Sequence, residues 1–273
     1  MQIWCDGQWM LVEDFPSSPT DRGFTHGLGL FETMLVLDGR PIFLMRHLAR
    51  LKTSCERLGW DVDFGDFKAI AVQLLEVNHL TQIPARLRIT ITAGSGPLNN
   101  IGRGADARLW LTAQALTESS KPLTAMICPW PRNEHSPLAG LKCASYAENL
   151  IALDHARHLG FEESIFLNTA GHLCESATAN LFLVTNGTLL TPLLASGCLP
   201  GIAREVVMEL ATQERIAHQE LQLTLQDLES ADEIFLTSSL QGIRRVVQVG
   251  TRNYLATTVT SRIDDAWKKL ISP

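Results

Sequence analysis

Residues 86–92 read Arg-Leu-Arg-Ile-Thr-Ile-Thr, an alternation that leaves the backbone one choice. Successive side chains of an extended chain point to opposite faces. Leu87, Ile89 and Ile91 therefore share one face, and Arg88, Thr90 and Thr92 share the other. Such a strand needs partner strands and an apolar layer to cover it, and the neighbouring sequence supplies both. Residues 34–37 and 41–44, either side of Asp38-Gly39, predict a β-hairpin. Leu48, Leu51, Cys55 and Leu58 fall near helical spacing, with Gly59 as a stop. Phe67, Ile70, Ala71, Leu74 and Leu75 mark a second amphipathic helix. Residues 108–113 are the expected partner of the 86–92 strand. The Gly-rich loop between them, from Gly94 to Gly104, is long for a hairpin, which points to function or mobility.

The polar stretch 115–122 ends in Glu118-Ser119-Ser120-Lys121-Pro122 and predicts a linker at 117–122. It would divide an N-terminal α+β domain, 1–116, from a C-terminal β-rich domain, 123–273. A chain of 273 residues has room for roughly two domains. In the second half, 164–167, 179–184 and 233–236 read as strands, and Asn186-Gly187 as a tight hairpin turn. Residues 205–217 read as a helix entered from Pro200-Gly201. The 23 Lys and Arg against 29 Asp and Glu argue against a protein built to hold nucleic acid or an anionic membrane. No apolar run approaches the ~20 residues that span a bilayer. The first residues lack a signal-peptide pattern, and none of the six cysteines sits at C-x-x-C spacing. Free thiols of a reducing compartment, and so the cytoplasm, are the expectation.

Most short catalytic motifs are missing. There is no P-loop, and Gly27-Leu28-Gly29-Leu30-Phe31-Glu32 begins like a dinucleotide fingerprint but has Glu where the third Gly belongs. Asp154, His155 and His158 suit an exposed helix face or a metal pair. One segment is more informative. In Ala139-Gly140-Leu141-Lys142-Cys143-Ala144-Ser145-Tyr146, the lysine is the only one between Lys121 and Lys268, and small or apolar residues surround it. A desolvated lysine loses its proton more readily and becomes an amine nucleophile. The same residues also suit a surface lysine at a strand end.

At this segment the chain resembles the fold-type IV pyridoxal-phosphate enzymes, the class IV aminotransferases. The likeness covers nearly the whole chain through ordered anchors. They are Asp21-Arg22-Gly23-Phe24, Gly27-Leu28-Gly29-Leu30-Phe31-Glu32-Thr33, His47-Leu48-Ala49-Arg50-Leu51 and Leu141-Lys142-Cys143-Ala144-Ser145-Tyr146. Cys174-Glu175-Ser176-Ala177-Thr178-Ala179-Asn180-Leu181-Phe182, Leu199-Pro200-Gly201-Ile202-Ala203-Arg204 and Phe235-Leu236-Thr237-Ser238-Ser239 complete the series. The resemblance implies an α+β, two-domain fold with a smaller N-terminal α/β sandwich and a larger C-terminal β-rich pseudo-barrel domain carrying the lysine. It implies pyridoxal 5'-phosphate as cofactor and a homodimer whose partner subunit contributes substrate contacts.

It also implies roles. Lys142 would be the catalytic lysine that bonds the cofactor and moves the proton. Glu175 would keep the pyridine nitrogen protonated so that the ring accepts electrons. Arg50 would bind the phosphate, which a guanidinium meets bidentately. The backbone amides of Ile202 and Ala203 would meet it at a helix N-terminus, and Ser239 would add a hydroxyl. The family often has Thr where this chain has Ala203. Tyr146 would face the ring's phenolic oxygen.

Phe31-Glu32-Thr33 and the stretch 237–246 are most similar to the aminodeoxychorismate lyases. Ser238 and Arg245 depart from the Asn and Pro common there. The implied reaction releases pyruvate from 4-amino-4-deoxychorismate and forms p-aminobenzoate, a step of folate biosynthesis. The alternative is an aminotransferase acting on branched-chain or other amino acids. Ala93 replaces the Arg that many relatives place before the loop glycine, and the Arg-x-His pair of the D-amino-acid enzymes is missing. That leaves Arg103 and Arg244 as candidate anchors for the substrate carboxylate. Cys143 and Cys174 flank the proposed site residues, and position alone predicts sensitivity to thiol reagents.

Overall fold

The computed structural model describes residues 1–117 and 122–272. The expected linker, 117–122, falls largely on residues outside the described ones. The chain forms two compact units, and each is described by itself. The first runs from Met1 through the strand at 109–115 and takes in Leu141–Tyr146 as well. The linear division places that lysine segment in the C-terminal domain; its backbone pairing instead puts it with the first unit. The second unit runs from the strand at 123–127 to Gly140 and from Ala147 to Ser272.

The first unit is an antiparallel sheet backed by helices. Its elements are β1 (Gln2–Cys5), β2 (Gln8–Leu11), α1 (Arg22–Thr25), β3 (Gly29–Leu37), β4 (Arg40–Pro41), α2 (Leu44–Arg57), α3 (Phe67–Val77), β5 (Ala85–Thr92) and β6 (Leu109–Ala115). The strand order is β2-β1-β6-β5-β3-β4. The alternation of β5 survives intact: Leu87, Ile89 and Ile91 are fully buried against Leu51, Leu74 and Leu75 in one apolar core. The expected hairpin is shorter than its sequence suggested. Only Arg40–Pro41 pairs with β3, because Phe43 takes a left-handed conformation (φ 57°) and Leu44 opens α2. The long 94–104 loop is held at its base. Buried Arg22 donates to the carbonyls of Ala93, Gly94, Asn100 and Gly102, and Asp21 accepts from the Gly94 amide at 3.0 Å.

The second unit is a mixed sheet. It holds β7 (Leu123–Ile127), α4 (Ala147–His158), β8 (Glu163–Leu167), β9 (Leu173–Ser176), β10 (Asn180–Thr185) and β11 (Thr188–Pro192). There follow α5 (Ile202–Gln213), β12 (His218–Leu221), α6 (Leu225–Ser230), β13 (Glu233–Ser238), β14 (Gly242–Val249), β15 (Arg252–Asn253) and α7 (Thr258–Ile271). The order is β12-β11-β10-β13-β14-β7-β8-β9, with β15 on β14. Asn186 (φ 50°) and Gly187 (φ 75°) make the β10–β11 turn, as a two-residue hairpin of primed type requires. Helix α5 starts at Ile202, three residues earlier than the apolar spacing suggests. No described helix is long and apolar enough to cross a membrane.

Candidate active site

Strand β3 organises the first unit's chemistry because its two faces receive different elements. Its outer edge is open beside Gly29–Phe31, since β4 pairs only with Val36 and Leu37. The lysine segment fills that edge. The Phe31 amide donates to the Lys142 carbonyl at 3.0 Å, and the Ala144 amide donates to the Gly29 carbonyl at 2.8 Å. Gly27 permits the approach: its φ is +66°, and a Cβ there would lie 2.6 Å from Ser145 Oγ. This close contact is a physical use for the Gly-x-Gly pattern.

Phe31 lies on one face. Arg88, opposite Thr33 on β5, places its guanidinium 3.8 Å from the Phe31 ring centroid. The Lys142 ammonium lies 4.5 Å from the same centroid, and Tyr146 meets the ring edge-on at 5.6 Å. Burial lowers the pKa of Arg88, with Arg86 adding repulsion, yet a guanidinium stays charged. It is a desolvated cation beside the lysine amine.

Glu32 lies on the other face, 1% exposed. Helix α2 turns Leu44, His47, Leu51, Ser54 and Cys55 inward, so His47 occupies a core position and Arg50 follows one turn later. Both reach Glu32. Arg50 donates from Nε to Oε1 and from Nη2 to Oε2, each at 2.7 Å, and His47 Nδ1 lies 2.7 Å from Oε2. Burial alone would raise the Glu32 pKa. The Arg50 charge and the hydrogen bonds from His47 and Arg50 overcome it and pull the pKa to about 2. The His47 pKa is lowered, first by burial and then by the Arg50 and Lys142 charges, against the pull of Glu32. Arg103 sits in the pinned loop and donates from Nε to the Thr92 carbonyl at 3.5 Å.

In the second unit, β9 carries Glu175. Its Oε2 accepts from the Leu199 amide at 2.9 Å, and its Oε1 lies 3.9 Å from Arg132 Nη2. Arg132 stacks over Phe166 at 4.1 Å and pairs with Glu148 at 2.7 Å. Gly201 begins α5 without a side-chain cap, and Ile202 and Ala203 are buried behind it. The first amides of a helix have no intrahelical acceptor and favour an anion. A side chain at 201 would not fit, because a Cβ would lie 1.8 Å from Asn180 Oδ1. Ser239 is half-buried in the turn after β13. Arg244, on β14, donates to Gln241 Oε1 at 2.6 Å; burial lowers its pKa against the opposing pull of Glu162 and Glu163. Cys174 is buried, and burial pushes its thiol well above the usual range, so it is a poor target for thiol reagents. His158 and Asp154 form an exposed pair at 3.3 Å on α4.

The structure thus brings Lys142, Tyr146, Arg50 and Arg103 into the first unit and Glu175, Ile202, Ala203, Ser239 and Arg244 into the second. Sequence reasoning overlooked Arg88, the Glu32–His47 pair and Arg132. One of these left a trace: His47 occupies an apolar helical stripe, whereas Arg88 shares a polar strand face with threonines, where a solvated side chain is expected. The His47 position does not suit a solvated side chain.

Residues 29–249 match the amino-transferase class IV family. A Methanocaldococcus jannaschii protein, provisionally named a branched-chain-amino-acid aminotransferase, is 29% identical over 99% of this chain and 96% of its own. Aminodeoxychorismate lyase of Bacillus subtilis is 28% identical over 98% of this chain and 94% of its own. The solved branched-chain aminotransferase of Escherichia coli superposes with a TM-score of 0.90 at 25% identity, covering 99% of this chain and 94% of that one.

Proposed function

The chain belongs to the class IV aminotransferase family, which is pyridoxal-phosphate-dependent, and from that premise we propose that it is a lyase converting 4-amino-4-deoxychorismate to p-aminobenzoate and pyruvate. The observation that carries the reading is the Lys142–Phe31–Arg88 cluster, an amine and a desolvated cation over one aromatic ring. A substrate joining an amine to carboxylates needs that pair of groups. The residues fit the cofactor as well. Lys142 supplies an amine for its aldehyde, and Glu175 a carboxylate for its ring nitrogen. Arg50, the amides of Ile202 and Ala203, and Ser239 would hold the phosphate, and Tyr146 the phenolic oxygen. The uncapped N-terminus of α5, with no room for a side chain at 201, is what an anion site built from amides requires.

When bound, the cofactor supplies an electron sink conjugated with the substrate amine. The rest falls to the chain. Arg88 would orient a substrate carboxylate, a role that Arg103 and Arg244 share as candidates. Lys142 Nζ would take the proton from the amine-bearing ring carbon and return it as pyruvate leaves. Glu175, held by Leu199 and Arg132, would keep the ring nitrogen charged.

The second reading is a transaminase, favoured by the Escherichia coli structure that covers nearly the whole chain. Aminodeoxychorismate supplied without a keto acid separates the two. The lyase yields p-aminobenzoate and pyruvate. Absence of both, with amino transfer from an amino acid to 2-oxoglutarate, would leave the transaminase. Either reading carries a cytoplasmic homodimer, and sedimentation checks the dimer.

A further inference from the structure

Arg50 is the group proposed above for the cofactor phosphate, and this inference rests on that reading. A guanidinium on a long, flexible stem recognises a phosphate well only when its plane is set beforehand. The chain sets it with unusual completeness. Glu32 takes the Nε–Nη2 edge through both oxygens at 2.7 Å. The opposite edge is thereby fixed in direction. Glu32 is itself held on a second side by His47, at 2.7 Å and with no solvent exposure. By contrast, Arg204 donates from Nη2 to Glu220 Oε2 at 2.6 Å and from the same nitrogen to the Pro192 carbonyl at 2.9 Å.

The protonation pattern agrees. An ionised carboxylate only accepts, so Nδ1 of His47 must carry the proton it donates to Glu32. A neutral imidazole then leaves Nε2 bare, and that atom is buried without a hydrogen-bond partner. A core helix position filled by Leu would cost less. A histidine placed there is accounted for by the bond to Glu32.

We propose that Glu32 and His47 are positioning residues of the phosphate site, acting through Arg50 to give the chain its preference for a phosphorylated ligand. The idea opposes simple charge counting. Glu32 is an anion beside an anion site, so removing its charge should strengthen phosphate binding if Arg50 acted as a point charge. Positioning predicts the reverse.

The test compares pyridoxal phosphate with unphosphorylated pyridoxal as ligands of the full chain, by absorbance titration. Glu32→Gln should weaken pyridoxal phosphate about 10- to 100-fold, the loss of a charge-assisted bidentate contact, and leave pyridoxal within about twofold. His47→Gln should move the same ratio in the same direction by less, and it carries the test if Glu32→Gln does not fold. Glu32→Asp, which keeps the charge, should recover part of the preference. Tighter or unchanged pyridoxal phosphate binding in Glu32→Gln overturns the inference. So does an equal loss of both ligands, which is the mark of general damage. Arg50→Ala keeps the two readings apart. If it abolishes the phosphate preference while Glu32→Gln does not, only the positioning role fails. If it leaves the preference intact, the Arg50 assignment fails and the positioning role with it.

Discussion

Phe31 and Glu32 are neighbours in β3, yet each meets cations in a different way. On the Glu32 face a buried carboxylate receives both Arg50 and His47. On the Phe31 face Arg88 and Lys142 lie over an aromatic ring, which attracts a cation without neutralising it. A carboxylate fixes the plane of a guanidinium and offsets part of its charge. An aromatic ring supports a cation and leaves its charge to act on a ligand. One strand therefore separates a guanidinium set by a carboxylate from an amine and a guanidinium held over an aromatic ring, by the two-residue alternation of extended chain.

The comparison can be broken at either face. The largest effect belongs to Lys142. Lys142→Ala should lower turnover by at least about 1000-fold. It should also abolish the borohydride-fixed cofactor adduct seen by mass spectrometry; an adduct that survives means another amine serves. On the other face, Glu32→Ala removes a buried carboxylate that holds both Arg50 and His47. That should cost about 3–5 kcal/mol in urea unfolding at pH 7, and a loss below 1 kcal/mol would mean the network is not structural. Arg88→Leu should be milder in stability and specific in kinetics. KM for the carboxylate substrate should rise about 10- to 100-fold, with kcat changed less and the adduct retained.

The smallest effect is a pH dependence. The folded pKa of His47 lies below its ordinary 6.5, so the unfolded chain binds the extra proton first as pH falls. Stability should therefore decline as pH drops below about 6.5, and His47→Gln should reduce that decline between pH 7 and pH 5. The Glu32 contribution persists to lower pH. It is complete above the ordinary 4.5 and is lost as pH falls towards about 2. Unfolding midpoints along a pH series separate the two groups.

Much of the first unit was legible because alternation and helical spacing are local signals. The strand over 86–92 and the helices on Leu51 and Leu74 stand where their apolar residues require. The hairpin at Asn186-Gly187 follows from two residues that tolerate positive φ. The hairpin near Asp38-Gly39 was overextended, because nothing local shows that Leu44 prefers the helix it starts. The start of α5 was placed late because capping by a bare glycine leaves no side-chain signal. The domain of Lys142 was hidden for a different reason. Its segment joins the first unit through backbone bonds to the edge of β3, and backbone bonds carry no residue signature.

By itself the sequence determined the order of elements and the family, and it marked Lys142, Glu175 and Arg50 by the anchors around them. Those depend on residue type and spacing along the chain. Only the tertiary structure decided what each cation is set against. Arg50 and Arg88 look alike in sequence, each an arginine among apolar or small neighbours. One faces the Glu32 carboxylate across a helix–strand contact and the other the Phe31 ring across a strand pair. A side chain's charge state and partners are set by groups distant in sequence, and folding is what brings those groups within bonding distance.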